Sequence, residues 1–223
     1  RTVEFEQMEM QYFVKPGDDD HWFEYWKAER MKYYDKLGIR TDRLRFEEHG
    51  PDELAHYAKA AFDIQYEFPF GWQELEGIHN RTDYDLSRHS EFCGKEINYL
   101  DEESKERYIP YIVETSAGLT RSVLMVLCDA YEEEEVGEND VRTVLHFHPR
   151  VAPIQVAVFP LVKKDGLAEK AREIETELRE DFATFYDQSG AIGRRYRRQD
   201  EIGTPYCITV DYETMEQGTV TLR

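Results

Sequence analysis

Cysteine is scarce in this chain of 223 residues, and the three present, Cys93, Cys128 and Cys207, stand far apart. They form neither a metal-ligand spacing nor an even disulfide set, which excludes a disulfide scaffold and points to a reducing cytoplasm. Long apolar runs are missing as well. No stretch approaches the roughly 18 residues that a membrane span needs, so no membrane partner is expected. Cations are in short supply, with 28 Lys and Arg against 47 Asp and Glu and a net charge of −19. A protein that coats nucleic acid needs a cationic surface, and this balance excludes that class. The deficit is uneven: residues 1–142 hold 17 basic against 34 acidic side chains, −17 net, and residues 143–223 hold 11 against 13, −2 net. Any contact with RNA is therefore expected in the C-terminal part. No basic-then-apolar leader opens the chain, which starts at Arg1 instead of Met, and a fragment of a longer protein is expected.

What is present suffices for real cores. The hydrophobic fraction is 40% with 13% aromatics, and the length allows one large or two modest domains. Glu4 to Val14 alternates like a strand with one wet face. Asp20 is placed as the N-cap of a helix starting near His21, with Trp22, Phe23, Trp26, Met31 and Tyr34 as its apolar face. A loop or short strand over Gly38 to His49, a helix over Asp52 to Lys59 and strands over Ala60 to Phe70 and Gly71 to Ile78 follow. Alternate residues share a face of a strand, so Glu74 and Glu76 are expected side by side. Such a pair suits a solvated face, but the flanking Phe68, Phe70, Trp72, Leu75 and Ile78 suggest burial, where carboxylates need a cation or metal. A helix or loop is expected over Thr82 to Cys93, with Asp83 and Asp85 as caps and ion-pair partners, and a polar hairpin over Lys95 to Arg107.

Tyr108 to Arg121 then reads as a buried strand, a small-residue turn at Thr115 to Gly118 and the start of a helix. Glu114 stands at the strand end, Ser116 in the turn, and Arg121 in a first helical turn that favours anions. Taken alone, the pattern fits a buried strand entering a core helix equally well. Glu132 to Glu135 reads as a solvated linker, and His146 with His148, lacking a third ligand, makes no metal site. From Ala152 the chain changes class. Strands at Ile154 to Val162, Ala183 to Tyr186, Pro205 to Val210 and Thr219 to Leu222 enclose two helices, the first striped with Leu167, Ala171, Ile174, Leu178 and Phe182, the second over Gly190 to Ile202. Strands alternating with helices imply a mostly parallel sheet. Within the second helix, Arg194, Arg195, Arg197 and Arg198 flank Tyr196. They form either a solvated face balanced by Asp200 and Glu201 or a phosphate-contacting, base-stacking surface.

Three segments in order resemble one family. Glu114-Thr-Ser-Ala-Gly-Leu-Thr-Arg121 is similar to motif 3 of class II aminoacyl-tRNA synthetases, in the form found in single-subunit glycyl-tRNA synthetases. Arg1-Thr-Val-Glu-Phe-Glu-Gln-Met-Glu-Met10 resembles the second half of motif 2. Glu74-Leu-Glu-Gly-Ile78 with Arg81-Thr-Asp-Tyr-Asp-Leu86 resembles the segment between them, and Ala152 to Arg223 is similar to the anticodon-binding domain. The resemblance implies an α+β antiparallel class II catalytic sheet, incomplete, over residues 1–142, and an α/β anticodon-binding domain with a mostly parallel sheet, C-terminally incomplete, over residues 143–223.

It further implies ligation of glycine to tRNA(Gly) using ATP and magnesium, in a homodimeric parent enzyme of which this chain alone could be inactive. No general base is implied; Arg1 and Arg121 stabilise charge. The ATP-binding positions are Arg1, Thr2, Val3, Glu4 and Phe5, then Glu74 and Leu75, then Gly118, Leu119, Thr120 and Arg121, with Phe5 stacked on adenine and Glu74 holding magnesium. The glycine-binding positions are Phe5, Glu6, Gln7, Met8 and Glu9, then Glu114, Thr115, Ser116, Ala117 and Gly118. One position departs from the pattern: Val3 stands where the family has arginine. An alternative is a catalytically inactive, synthetase-like accessory subunit that binds nucleic acid. Retention of Arg1, Phe5, Glu6, Glu9, Glu74, Glu114, Ser116 and Arg121 argues against it.

Overall fold

Alternation of period two produces a sheet with two unlike faces, and the computed structural model, which describes residues 3–137 and 140–223, contains one. The chain divides into two compact units, Arg1–Cys128 and Asp129–Arg223. In the first, strands β1 (Gln7–Val14), β2 (Leu44–Glu48), β3 (Ala60–Phe68) and β4 (Gly71–Thr82) join β7 (Tyr111–Gly118) in the order β1-β7-β4-β3-β2. Every pairing in this sheet is antiparallel. Helix α1 (Asp19–Lys36) and a 3-10 turn (Thr41–Arg43) come before β2, and α2 (Tyr84–Cys93) follows β4. Short strands β5 (Tyr99–Leu100) and β6 (Arg107–Tyr108) form the polar hairpin, and α3 (Leu119–Ala130) leaves directly from β7.

The core lies on one face of the sheet. Ile64, Ile78 and Val113 from the strands, Phe23 and Tyr34 from α1 and Met125 from α3 are buried together there. The N-cap position of α1 falls to Asp18, two residues before the expected Asp20. Asp19 and Asp20 lie in the first turn, where Lys59 Nζ donates to both, at 2.9 and 2.6 Å, and Asn80 Nδ2 donates to Asp19 at 2.7 Å. The helix expected over Asp52 to Lys59 is a series of turns. The expected turn at Thr115 to Gly118 is strand, with Thr115, Ser116 and Ala117 paired on both sides and Gly118 to Gln7 alone, because the small residues let β7 run unbroken between two neighbours.

The second unit begins with a hairpin, β8 (Tyr131–Gly137) and β9 (Asp140–Leu145), so Glu132 to Glu135 is a paired strand and not a linker, facing Val144, Thr143, Arg142 and Val141 in register. The expected boundary at 142/143 falls inside β9. A second sheet takes the order β11-β10-β12-β13 from β10 (Val156–Pro160), β11 (Thr184–Tyr186), β12 (Tyr206–Val210) and β13 (Thr221–Leu222). β10 pairs in parallel with β11 and β12, and β12 pairs antiparallel with β13. Every residue of β10 is buried, as a strand covered on both faces requires. Val156 and Val158 pack with Leu167 and Ala171 of α4 (Leu167–Leu178), while Ala157 and Phe159 pack with Ile192 and Tyr196 of α5 (Ile192–Ile202). α4 stops at Leu178, so Phe182 leaves the expected stripe. A sixth helix, α6 (Tyr212–Gln217), carries a capping box between Asp211 and Thr214.

Candidate active site

The face of the first sheet turned away from α1 lines a cleft of about 1250 Å³. Strand register sorts its side chains into rows. Gln7 stands opposite Gly118; Glu9, Ser116 and Gly77 form the next row across three strands; Gln11, Glu114 and His79 form the third. All of these line the cleft. In the middle row Gly77 has no side chain, and a Cβ there would come within 2.8 Å of the His79 ring.

Glu114 is held by two partners in the cleft. Arg81 Nη1 donates to both its oxygens at 3.0 Å, and the amide of Gln11 donates to Oε2. The same guanidinium forks onto Asp85, at 2.7 and 3.1 Å, and lies 4.0 Å from the centre of the Tyr57 ring. Its bonds to Asp85, reinforced by Glu114 against the cost of burial, hold Arg81 firmly charged. His79 Nδ1 is buried without a hydrogen-bond partner, 3.8 Å from Glu114 Oε1. Burial pushes that imidazole down, against the pull of Glu114 and Asp63. One row away, Gln7 Nε2 donates to Ser116 Oγ at 2.5 Å.

The far end of the cleft carries Phe5, Glu74, Thr120 and Arg121. The amide of Leu119 donates to Glu6 O at 2.8 Å, which ties the segment before β1 to the first turn of α3. Arg121 Nη1 donates to the carbonyl of Glu74 at 2.5 Å, and the two side chains, half exposed, lie 3.9 Å apart. Helix N-termini favour anions, and a half-exposed arginine in the first helical turn adds to that preference.

Strand alternation divides the expected site. Phe5, Gln7, Glu9, Glu114, Ser116 and Gly118 line the cleft, as do Glu74, Leu75, Thr120 and Arg121. Met8, Thr115 and Ala117 have the opposite strand parity, and Thr115 and Ala117 are buried. Val3, Glu4 and Glu6 are exposed ahead of β1, and Leu119 contributes its backbone. Arg1 and Thr2 lie outside the described residues. Glu74 and Glu76 do not share a face, because the pairing of β3 with β4 shifts between Ile64 and Gln65 and leaves Leu75 as a bulge. Sequence reasoning missed Gln11, His79 and Arg81 as members of the cleft, while Asp85, expected as an ion-pair partner, is one, to Arg81. Gln11 continues the period of Phe5, Gln7 and Glu9, and His79 and Arg81 continue that of Gly77.

Among the described residues no group of three His, Cys, Asp or Glu side chains could hold a metal ion. A magnesium ion that travels with a nucleotide needs only one or two carboxylates beside the phosphates, and Glu74 fits that lesser demand. In the second unit the arginine cluster splits. Arg195 is buried, donating to the carbonyls of Pro160 and Gly190, so it supports α5 and is not part of a surface. Arg197 pairs with Glu201 and Arg198 with Asp187, and Arg194 is exposed.

Known proteins resemble the chain along its whole length. The family described as "Anticodon binding domain" matches residues 155–223. A glycine–tRNA ligase of Treponema denticola is 65% identical over 100% of this chain and 51% of its own length. One of Borreliella afzelii is 63% identical over 100% and 51%, and one of Treponema pallidum is 53% identical over 100% and 54%. The chain thus spans about half the length of the curated relatives it matches.

Proposed function

From this end-to-end likeness we infer that the chain belongs to the glycyl-tRNA synthetase family and is part of a glycine–tRNA ligase, which activates glycine with ATP and passes it to tRNA(Gly). The observation that carries the reading is the graded cleft, with a carboxylate-flanked middle row, lacking a side chain at Gly77, beside an arginine-bearing end. The first unit is then the class II catalytic part and the second carries the anticodon-binding domain. The family's homodimer and cytoplasmic setting come with the same reading. No helix among the described residues is long and apolar enough to cross a membrane.

Activation brings two anions together: the glycine carboxylate attacks the α-phosphorus of ATP and pyrophosphate leaves. The task is alignment and neutralisation of charge, for which arginine serves better than a side-chain base. Arg121, beside the α3 N-terminus, is placed for the phosphates and Phe5 for the adenine face, while Glu74 would hold magnesium, which supplies further neutralisation. In a second step the terminal ribose hydroxyl of the tRNA attacks the adenylate carbonyl and AMP leaves.

Glycine offers no side chain to grip. A site can bind only its ammonium and carboxylate and must fill the space where a β-carbon would go. A soft apolar pocket resolves one methylene by about 1–3 kcal/mol. Here Glu9, Ser116 and Glu114 surround the ammonium, and Arg81 with Gln11 prevents Glu114 from yielding to a larger substrate. Arg194, Arg197 and Arg198 remain as tRNA-facing candidates.

Glycine-dependent exchange of pyrophosphate into ATP by the whole enzyme tests the reading. Exchange with glycine, and none above background with alanine or serine, is the expected result. A folded enzyme that binds nucleic acid but shows no exchange would leave the accessory-subunit reading in its place.

A further inference from the structure

On the back of the sheet, behind the cleft, lies an ionic cluster that the chemistry above does not use. Glu76 is fully buried. Arg30 of α1 reaches it with Nε at 2.5 Å and Nη2 at 3.1 Å, and Tyr34 donates to it at 2.6 Å. Burial pushes the Tyr34 phenol up, with Glu76 adding to the effect, and Arg30 stays charged although burial opposes it. Burying such a pair is costly, and apolar residues of similar volume would hold the helix as well or better. Fold stability alone is a weak reason for it.

Its place in the register suggests a stronger one. Ile64 pairs with Glu76, yet the next residue, Gln65, pairs with Glu74, and Leu75 is left over. Paired residues share a face, so the bulge puts Glu74 on the cleft side while Glu76 stays on the core side. A ladder without the bulge would set Glu74 against Tyr66, which is completely buried, because a one-residue slip turns every side chain over. The bulge also bears the carbonyl of Glu74 that receives Arg121. Both nucleotide-end groups therefore depend on where the bulge sits.

We propose that Glu76, clamped by Arg30 and Tyr34, is a positioning residue: it fixes the Leu75 bulge and so aims Glu74 and Arg121 at the nucleotide. The proposal rests on the ATP-binding reading of that end of the cleft. Without the clamp, β4 can slip toward the regular register and withdraw both groups.

The test is a set of variants of the whole enzyme, assayed by pyrophosphate exchange with ATP and glycine varied separately. The double variant Arg30→Met with Glu76→Leu replaces the clamp by apolar volume and should fold. Its KM for ATP should rise about tenfold, within the roughly hundredfold that a misplacement of about 1 Å can cost, with KM for glycine within about twofold of the parent. Tyr34→Phe, which removes one hydrogen bond, should shift the same way by less, and it decides the matter by the same split should the double variant not fold. Equal rises in both KM values, or no change in either, would overturn the proposal. Glu74→Gln separates the two layers. A raised KM for ATP there, with the clamp variants unchanged, sinks the positioning role alone; no change in any variant sinks the nucleotide assignment of Glu74 as well.

Discussion

His79 shows how the cleft resists a proton. Its ring is half-buried among Glu114 and Arg81 in the cleft, Asp63 of β3, His49 just past β2, and Tyr57, and its folded pKa lies below the ordinary 6.5. An unfolded chain therefore takes up the proton first as pH falls. The stability that neutral His79 contributes is complete above about 6.5 and is lost as pH falls through that value toward the lower folded one. Denaturant unfolding at pH values of about 8, 6.5 and 5 should show a steeper acid loss for the parent chain than for His79→Gln. Parallel curves would contradict the assignment. At this scale Glu114, Ser116 and Arg121 were legible in the sequence, because a motif announces them. Arg81 and Gln11 were not, since their role comes from strands that are distant in the chain and adjacent in register. Arg195 misled for the opposite reason: an arginine-rich string looks like a surface, but one member in it faces inward and caps backbone carbonyls.

At the scale of elements, local pattern and pairing compete. The strands of the first sheet and the alternation of β10 follow from composition, because apolar side chains must reach one core or two. Four successive glutamates argued for a linker, yet β8 exists because its partner supplies Arg142, bonded to Glu134 at 2.5 Å, and because His146 lies 3.2 Å from Glu132. Cross-strand partners of that kind are invisible in a single segment. The bulge at Leu75 was hidden for the same reason, and α6 was passed over although Asp211 and Thr214 spell its cap. The hairpin and α5 meet at Gly203, which closes α5 at φ +77°, and a Cβ there would meet the Phe147 ring at 2.3 Å. Gly203→Ala combines a left-handed backbone with overpacking and should cost about 2 kcal/mol or more. Thermal unfolding measures it, and a loss below about 0.5 kcal/mol would mean that the junction yields easily.

At the scale of the molecule, both units are acidic, −11 net over residues 1–128 (16 basic, 27 acidic) and −8 over residues 129–223 (12 basic, 20 acidic), and what separates them is the fold: an antiparallel sheet with one open face, then a sheet covered on both. The open face is what makes a cleft possible. The central claim is that the cleft face, and not the core face, holds glycine next to ATP. The direct measurement is a crystal structure of the whole enzyme with a non-hydrolysable glycyl-adenylate analogue. The account predicts the ammonium over the row of Glu9, Ser116 and Gly77 within hydrogen-bond reach of Glu114, the phosphate at Arg121 and the adenine on Phe5. An analogue bound elsewhere, or an ammonium with no carboxylate of this cleft beside it, would contradict it.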